Sequence, residues 1–294
     1  MSHHLINGTF VPAATASLPI TDLAILRGYG IFDYFRVKNF VPLFVRDHAE
    51  RFARSAERMG MTLPVSPAQI VRDVERLVEK NGVPDAGIRL LLTGGVSPDG
   101  FSPGTPNYCV LQHAYPHYDA HLYTEGCTIL LDEFTRQTPT VKTIDYAHGI
   151  RLLPQMRAAG AADVLYHQNG EILETTRANF CLVHADGTIQ TRADGVLPGI
   201  TKNHTLHLAR EADYSVLEEP ISLDDLSRAS ESFVTGSGKQ IMPVVRVGEY
   251  VIGDGTVGPV VRDLMARFDA LVERIVAEGS RKSVPVREDV LDWL

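Results

Sequence analysis

Val196-Leu-Pro-Gly-Ile-Thr-Lys-Asn203 is the stretch from which the fold can be read. Pro198 and Gly199 mark a turn, and the spacing that follows predicts a helix from Ile200 to Glu211. The first turn of a helix leaves backbone N–H groups without partners, and its dipole favours negative charge there. With the Thr201 hydroxyl beside them, these groups form a ready phosphate site. A second anion cradle lies downstream, in Phe233-Val-Thr-Gly-Ser-Gly-Lys-Gln-Ile-Met-Pro-Val244, where Thr235, Gly236, Ser237 and Gly238 place hydroxyls and free N–H groups in a turn.

Working upstream, Ile172-Leu-Glu-Thr-Thr-Arg-Ala-Asn-Phe180 puts Glu174 at the end of a strand, where a carboxylate facing a cleft can keep a ring nitrogen protonated. Further back, Thr140-Val-Lys-Thr-Ile-Asp-Tyr146 carries a lone lysine, Lys142, with no other basic residue between Arg136 and Arg151. A lysine on a short extended segment can serve as a Schiff-base lysine. The Gly-Ser-Gly-Lys of the second cradle is close to the tail of a nucleotide-binding P-loop. It fails that test, because Gln240 follows Lys239 where Ser or Thr is required, and Phe233 stands where the first glycine belongs. No nicotinamide fingerprint occurs either. Lysine, ring-nitrogen acid and two phosphate cradles, in that order, fit one cofactor, pyridoxal phosphate.

The rest of the chain supplies the frame. Asn7-Gly8, Asn169-Gly170 and Asp186-Gly187 are two-residue hairpin turns between apolar runs. Strands are expected in the second half of Ile25–Val37, at Val41–Val45, Ile88–Thr93 and Tyr108–His113. Asp47, with Glu50 three residues on, reads as a capping box opening a helix whose apolar stripe is Ala49, Phe52, Ala53, Ala56 and Met59. Arg51, Arg54 and Arg58 form a basic row beside that stripe. Ser66-Pro67 opens a second helix that Gly82 ends. The second half repeats strands and hairpins around helices at Gly149–Ala159, Ile200–Glu211 and Val257–Val276. Many hairpins and few crossovers predict a mixed, largely antiparallel sheet or pseudo-barrel rather than a Rossmann fold. The expected organisation is α+β in two domains. Residues 1–115 form a small N-terminal domain, 116–124 a link, and 125–294 a larger cofactor-binding domain.

Composition narrows the class. A formal charge of −8 argues against nucleic acid, which selects a basic face. No run of eighteen apolar residues exists, so no membrane span is expected. Cys109, Cys127 and Cys181 are far apart and odd in number, which suits reduced thiols in a cytoplasmic protein. The N-terminus carries no basic segment followed by an apolar one, so no signal peptide is expected. His113, His117 and His121 are four apart, but Pro116 breaks any helix that would align them, so no metal site is expected.

Across nearly its whole length the chain resembles the fold-type IV, class IV aminotransferases, the group that includes D-amino-acid transaminases, branched-chain transaminases and aminodeoxychorismate lyases. Leu197-Pro-Gly-Ile-Thr201 carries the resemblance most specifically. Glu174-Thr-Thr-Arg-Ala-Asn-Phe180 and Arg46-Asp-His-Ala-Glu-Arg-Phe52 agree with it. The resemblance implies that Lys142 carries the cofactor and Glu174 pairs with its ring nitrogen. It places Leu197 on the ring face and Tyr146 near the ring hydroxyl. Gly199, Ile200, Thr201, Gly236 and Ser237 are then expected at the phosphate, together with Arg51, which leaves the solvated row. A homodimer is implied as well.

Substrates are expected to be an amino acid and a 2-oxo acid, whose carboxylates call for an arginine fork. The Arg-x-His pair of D-amino-acid transaminases is absent, because that place reads Thr93-Gly94-Gly95. The Tyr-x-Arg of branched-chain transaminases reads Gly87-Ile88-Arg89. Arg89 is therefore the first candidate for the α-carboxylate and Arg27 the second, with Arg36 and Arg177 weaker. Phe32, from the loop Arg27-Gly-Tyr-Gly-Ile-Phe-Asp33, and Gly94 complete the expected substrate site. These departures favour an atypical D-amino-acid transaminase. A branched-chain L-amino-acid transaminase, a lyase and a non-catalytic cofactor carrier are the alternatives.

Overall fold

The structure is a computed structural model that describes residues 2–282. Residues 283–294 of the expected second domain lie outside the described residues. The N-terminal half contains β1 (His3–Ile6), β2 (Thr9–Pro12), α1 (Leu23–Arg27), β3 (Gly30–Lys38), β4 (Val41–Pro42), α2 (Val45–Arg58), α3 (Pro67–Asn81), β5 (Ala86–Thr93) and β6 (Tyr108–His113). Its strands form an antiparallel sheet in the order β2-β1-β6-β5-β3-β4. Side chains alternate along β3: Ile31, Phe35 and Val37 are fully buried in the core shared with Phe52 of α2 and Ile70 and Leu77 of α3. Phe32 and Tyr34 consequently project from the opposite face, which no helix of this half covers with its core.

The C-terminal half contains α4 (His121–Thr124), β7 (Cys127–Glu133), α5 (Ala147–Arg151), α6 (Leu153–Ala158), β8 (Asp163–Gln168), β9 (Glu171–Thr175), β10 (Asn179–Val183), β11 (Ile189–Thr191) and α7 (Ile200–Glu211). It continues with β12 (Val216–Glu218), β13 (Ile221–Ser222), α8 (Leu223–Arg228), β14 (Glu231–Gly236), β15 (Gln240–Val247), β16 (Tyr250–Val251) and α9 (Pro259–Lys282). The strands β10-β14-β15-β7-β8-β9 run in sequence around the sheet, and Asn179 of β10 pairs with Glu174 of β9 to close the ring. The result is a closed barrel, antiparallel except where β7 pairs with β15 and with β8. The fold is the expected two-domain α+β arrangement with a pseudo-barrel.

Local readings differ in several places; the Asp186-Gly187 turn, for one, is a longer loop in which His184 N–H donates to the Thr188 carbonyl at 2.9 Å, and the last helix runs Pro259–Lys282. Asp47 does not cap α2, which begins at Val45 after Phe44 in the left-handed region at φ 53°. Phe44 adopts it because its ring packs on His204 at 4.2 Å and on Phe268 at 6.0 Å, so tertiary packing overrides the local cap signal. Asp47 instead accepts from His204 of α7 at 2.8 Å, joining the two halves. The strand at 41–45 shrinks to Val41–Pro42. The helix read as Gly149–Ala159 is two short helices that meet at Leu152, since Pro154 lacks the N–H to continue one into the other.

Candidate active site

The Lys142 segment adds an irregular edge to β3 where β4 does not reach. Phe32 N–H donates to the Lys142 carbonyl at 2.9 Å and Ile144 N–H to the Gly30 carbonyl at 3.1 Å, with Ile31 and Thr143 bridged between them. Val141 is fully buried beneath it. The lysine is thereby delivered into a cleft of about 600 Å³ between the open face of the first sheet and the barrel mouth. Phe32, Arg51, Arg89, Lys142, Tyr146, Glu174, Leu197, Gly199, Ile200, Thr201, Gly236 and Ser237 all line it. Lys142 Nζ stands 3.4 Å from the Tyr146 hydroxyl and 4.8 Å from the centre of the Phe32 ring. Lys239 also lines the cleft, but it is buried in an ion pair with Asp163, whereas Lys142 has no carboxylate partner among the described residues.

Two expected substrate residues stand elsewhere. Arg27 ends α1 and is exposed, its guanidinium turned back on the Leu26 carbonyl at 3.0 Å; it lines an adjoining cavity of about 870 Å³. Gly94 is a packing glycine: a Cβ there would fall 2.6 Å from the Tyr29 ring and 2.9 Å from Leu23, under α1. Neither lines the Lys142 cleft. Of the weaker arginines, Arg177 lines the cleft, whereas Arg36 pairs with Asp85 at 3.3 Å.

Behind the first wall, Arg51 makes a bidentate pair with Asp33 at 2.9 and 2.7 Å and reaches the Pro198 carbonyl at 3.2 Å. His48 Nδ1 lies 2.7 Å from the same carboxylate and its Nε2 lies 3.4 Å from the Ser237 hydroxyl. Burial pushes the His48 pKa down, with Asp33 opposing. A neutral ring that donates through Nδ1 to Asp33 and accepts at Nε2 from Ser237 satisfies both contacts, a tautomer assigned from the network.

On the barrel side, Glu174 is buried and accepts from Arg136, from Leu197 N–H at 3.1 Å and from Asn179 at 3.4 Å. Burial raises its pKa; Arg136 and the Leu197 N–H only partly offset this. Sequence reading missed Arg136, Asn179, His48, Asp33 and the partner of Lys239. Each acts through a neighbour distant in the chain, so no local pattern announces it.

The cradle fits a phosphate. Thr235 lines the cleft, and its hydroxyl is buried and without a hydrogen-bond partner among the described residues. The α7 N-terminus has no side-chain cap, and a Cβ on Gly199 would fall 1.9 Å from Asn179 Oδ1, so only glycine admits this close approach. Unpaired donors at a helix start, with the buried Arg51 beside them, suit a desolvated dianion. Glu174, whose burial its donors only partly offset, suits a protonated ring nitrogen.

The amino-transferase class IV family profile matches residues 30–247. The chain belongs to the class IV aminotransferases. It is 26% identical over 279 residues to the D-alanine aminotransferase of Staphylococcus aureus strain N315, covering 93% of this chain and 99% of that one. It is 28% identical over 271 residues to a Methanocaldococcus jannaschii protein provisionally named branched-chain-amino-acid aminotransferase, covering 90% and 94%. The branched-chain amino acid aminotransferase of Escherichia coli shares the fold, with a TM-score of 0.86 at 24% identity over 92% and 94% of the two chains. The protein is a pyridoxal-phosphate-dependent aminotransferase acting on amino and 2-oxo acids. Among the described residues, no helix is long and apolar enough to cross a membrane.

Proposed function

We propose that this aminotransferase moves the amino group of a D-amino acid to a 2-oxo acid such as 2-oxoglutarate, alternating two half-reactions at one site. The observation that carries the transaminase part of this reading is the placement of Arg89 and Lys142 around one ring: the Arg89 guanidinium lies 4.9 Å and Lys142 Nζ 4.8 Å from the centre of Phe32. A cationic fork and a nucleophilic amine so arranged can take the two ends of one α-amino acid.

Lys142 is assigned to hold the cofactor covalently through Nζ, and the same amine, when free, would be the base that takes up the substrate α-proton and the acid that gives it back. Pyridoxal phosphate, when bound, supplies the carbon that accepts the amine and the ring that absorbs the electron pair left at the α-carbon. Glu174 would hold the ring-nitrogen proton, Leu197 would pack on the ring face and Tyr146 would stand near the ring hydroxyl. Arg51, Ile200, Thr201, Ser237 and Gly236 are assigned to the phosphate, joined by Thr235. Arg89 takes the α-carboxylate. The same reading makes the working unit a homodimer, a state that light scattering measures.

The D-amino-acid reading is supported by the nearly full-length match to D-alanine aminotransferase and by the lack of a side chain at Gly87. A branched-chain L-amino-acid transaminase is the second reading, supported by Arg89, which keeps the arginine of that group's strand pattern, and by the comparably extensive match to the branched-chain relative. Adding D-alanine, and separately L-leucine, to the loaded enzyme decides. The visible band of the lysine-bound cofactor is expected to fall with D-alanine and to return with 2-oxoglutarate. A response to L-leucine alone selects the second reading. Turnover that needs no oxo acid indicates a lyase, and no response to any amino acid indicates a carrier.

A further inference from the structure

Gly87 is a glycine for reasons of space. It lies within β5, with no positive φ that would demand glycine. A Cβ built there would fall 2.5 Å from the Tyr34 hydroxyl oxygen and 2.9 Å from both the Tyr34 ring and His113 Cε1. Any other residue would expel the phenol.

The phenol so accommodated is incomplete. The Tyr34 oxygen is buried, and it hydrogen-bonds to nothing among the described residues. Buried hydroxyls are nearly always paired, so an orphan that lines a ligand cleft marks a contact made when the ligand is present. The ring is fixed by stacking on His113, with centroids 5.6 Å apart and planes at 10°. Burial raises the phenol pKa, Tyr115 and Tyr118 add to this, and Arg89 and Arg36 oppose it. The group is therefore a neutral O–H donor. Strand register places Tyr34 directly opposite Arg89, and Phe32, which Arg89 overlies, is two residues before Tyr34 on the same face of β3. Tyr34 and Arg89 are thus cross-strand neighbours on the sheet face that lines the cleft.

We infer that Tyr34 is a substrate-binding residue whose hydroxyl donates a hydrogen bond to a substrate carboxylate neutralised by Arg89, and that Gly87 is the clearance this phenol requires. The inference rests on the transaminase reading and adds a residue to its specificity site. Tyr34→Phe removes one oxygen and leaves the stack on His113. With saturating pyridoxal phosphate, its cofactor band is expected to match wild type. Its KM for the oxo acid is expected to rise about tenfold, the effect of losing one hydrogen bond to a charged group, with kcat within about twofold.

A rise for both pyruvate and 2-oxoglutarate places the hydroxyl at the α-carboxylate. A rise for 2-oxoglutarate alone places it at the side-chain carboxylate. Unchanged KM for both overturns the inference. Gly87→Ala keeps the hydroxyl but displaces it, so the same KM pattern is expected, and a wild-type KM there overturns the clearance role. Calorimetric binding of glutarate, an unreactive dicarboxylate, separates the two readings. If wild type fails to transaminate but binds glutarate more tightly than Tyr34→Phe, the carboxylate contact stands while the function does not. Equal binding to both proteins overturns the contact whatever the activity.

Discussion

Asp33, in the first sheet, and Glu174, in the barrel, are buried carboxylates, each bonded to an arginine, and they differ in what else surrounds them. Asp33 has both Arg51 contacts, His48 at 2.7 Å and its neighbour Tyr34 N–H at 2.7 Å. Burial opposes its charge, but Arg51 and His48 together outweigh burial and hold the carboxyl well below the usual range. At Glu174 burial wins, and its pKa moves the other way. One carboxylate is saturated with donors and serves as the anchor that aims Arg51; the other accepts fewer and is receptive to a protonated ring. Pairing with arginine alone does not distinguish scaffold from chemistry; the remaining contacts do.

The largest expected effect breaks the anchor. Asp33→Asn leaves Arg51 buried without its counter-charge and is expected to destabilise the protein by about 3–5 kcal/mol, read as a lower denaturation midpoint of the cofactor-free protein. Its kcat at saturating cofactor should stay within several-fold of wild type. Glu174→Gln is expected to act mainly on rate, lowering kcat by about 100-fold through loss of a charge-assisted contact to the ring, with a smaller drop in the midpoint because Arg136 keeps its contacts to the Pro139 and Val141 carbonyls. Stopped-flow half-reactions and denaturation curves on both variants would separate the two roles. Equal effects on both measurements in both variants would erase the distinction.

A smaller effect comes through His48, whose folded pKa is depressed by burial. As pH falls below the ordinary histidine value of about 6.5, the unfolded chain takes up a proton that the folded one resists. Stability contributed at this site therefore falls with falling pH, by at most about 1.4 kcal/mol per unit. The wild-type midpoint should drop between roughly pH 6.5 and 5.5, and His48→Gln should flatten that slope. The smallest effect is expected at Arg54, next turn along from Arg51. Its contact with Glu50 is 3.7 Å and both side chains are exposed, so Arg54→Ala should change stability by less than about 0.5 kcal/mol.

That pair of arginines also illustrates what can be read without coordinates. Arg51 and Arg54 sit in one basic row, and periodicity alone does not say which is buried. Helix α7 was legible from Ile200 to Glu211 because a turn, a phosphate-binding start and the apolar spacing agree there. The hairpins at Gly8 and Gly170 were legible because their turn chemistry is local. The five-residue α1 was not, since so short a helix has no periodicity to detect, although Asp22 caps it. The Arg136–Glu174 pair and the orphan hydroxyls of Thr235 and Tyr34 depend on contacts between distant segments, and barrel closure depends on β14, β15 and β7 linking β10 to β8 and β9. Arg27 and Gly94 were assigned on motif position, and packing around α1 places them away from the lysine.

The central claim is that Lys142 is the amine that holds the cofactor, and borohydride reduction of the loaded enzyme tests it directly. After reduction, digestion and peptide mass mapping, the phosphopyridoxyl group is expected on the peptide containing Lys142 and on no other. Lys202 donates to the Arg192 carbonyl at 2.9 Å, and Lys239 is paired with Asp163, so neither has a free amine to offer. A label on Lys239 or Lys202, with Lys142 unmodified, would contradict the account.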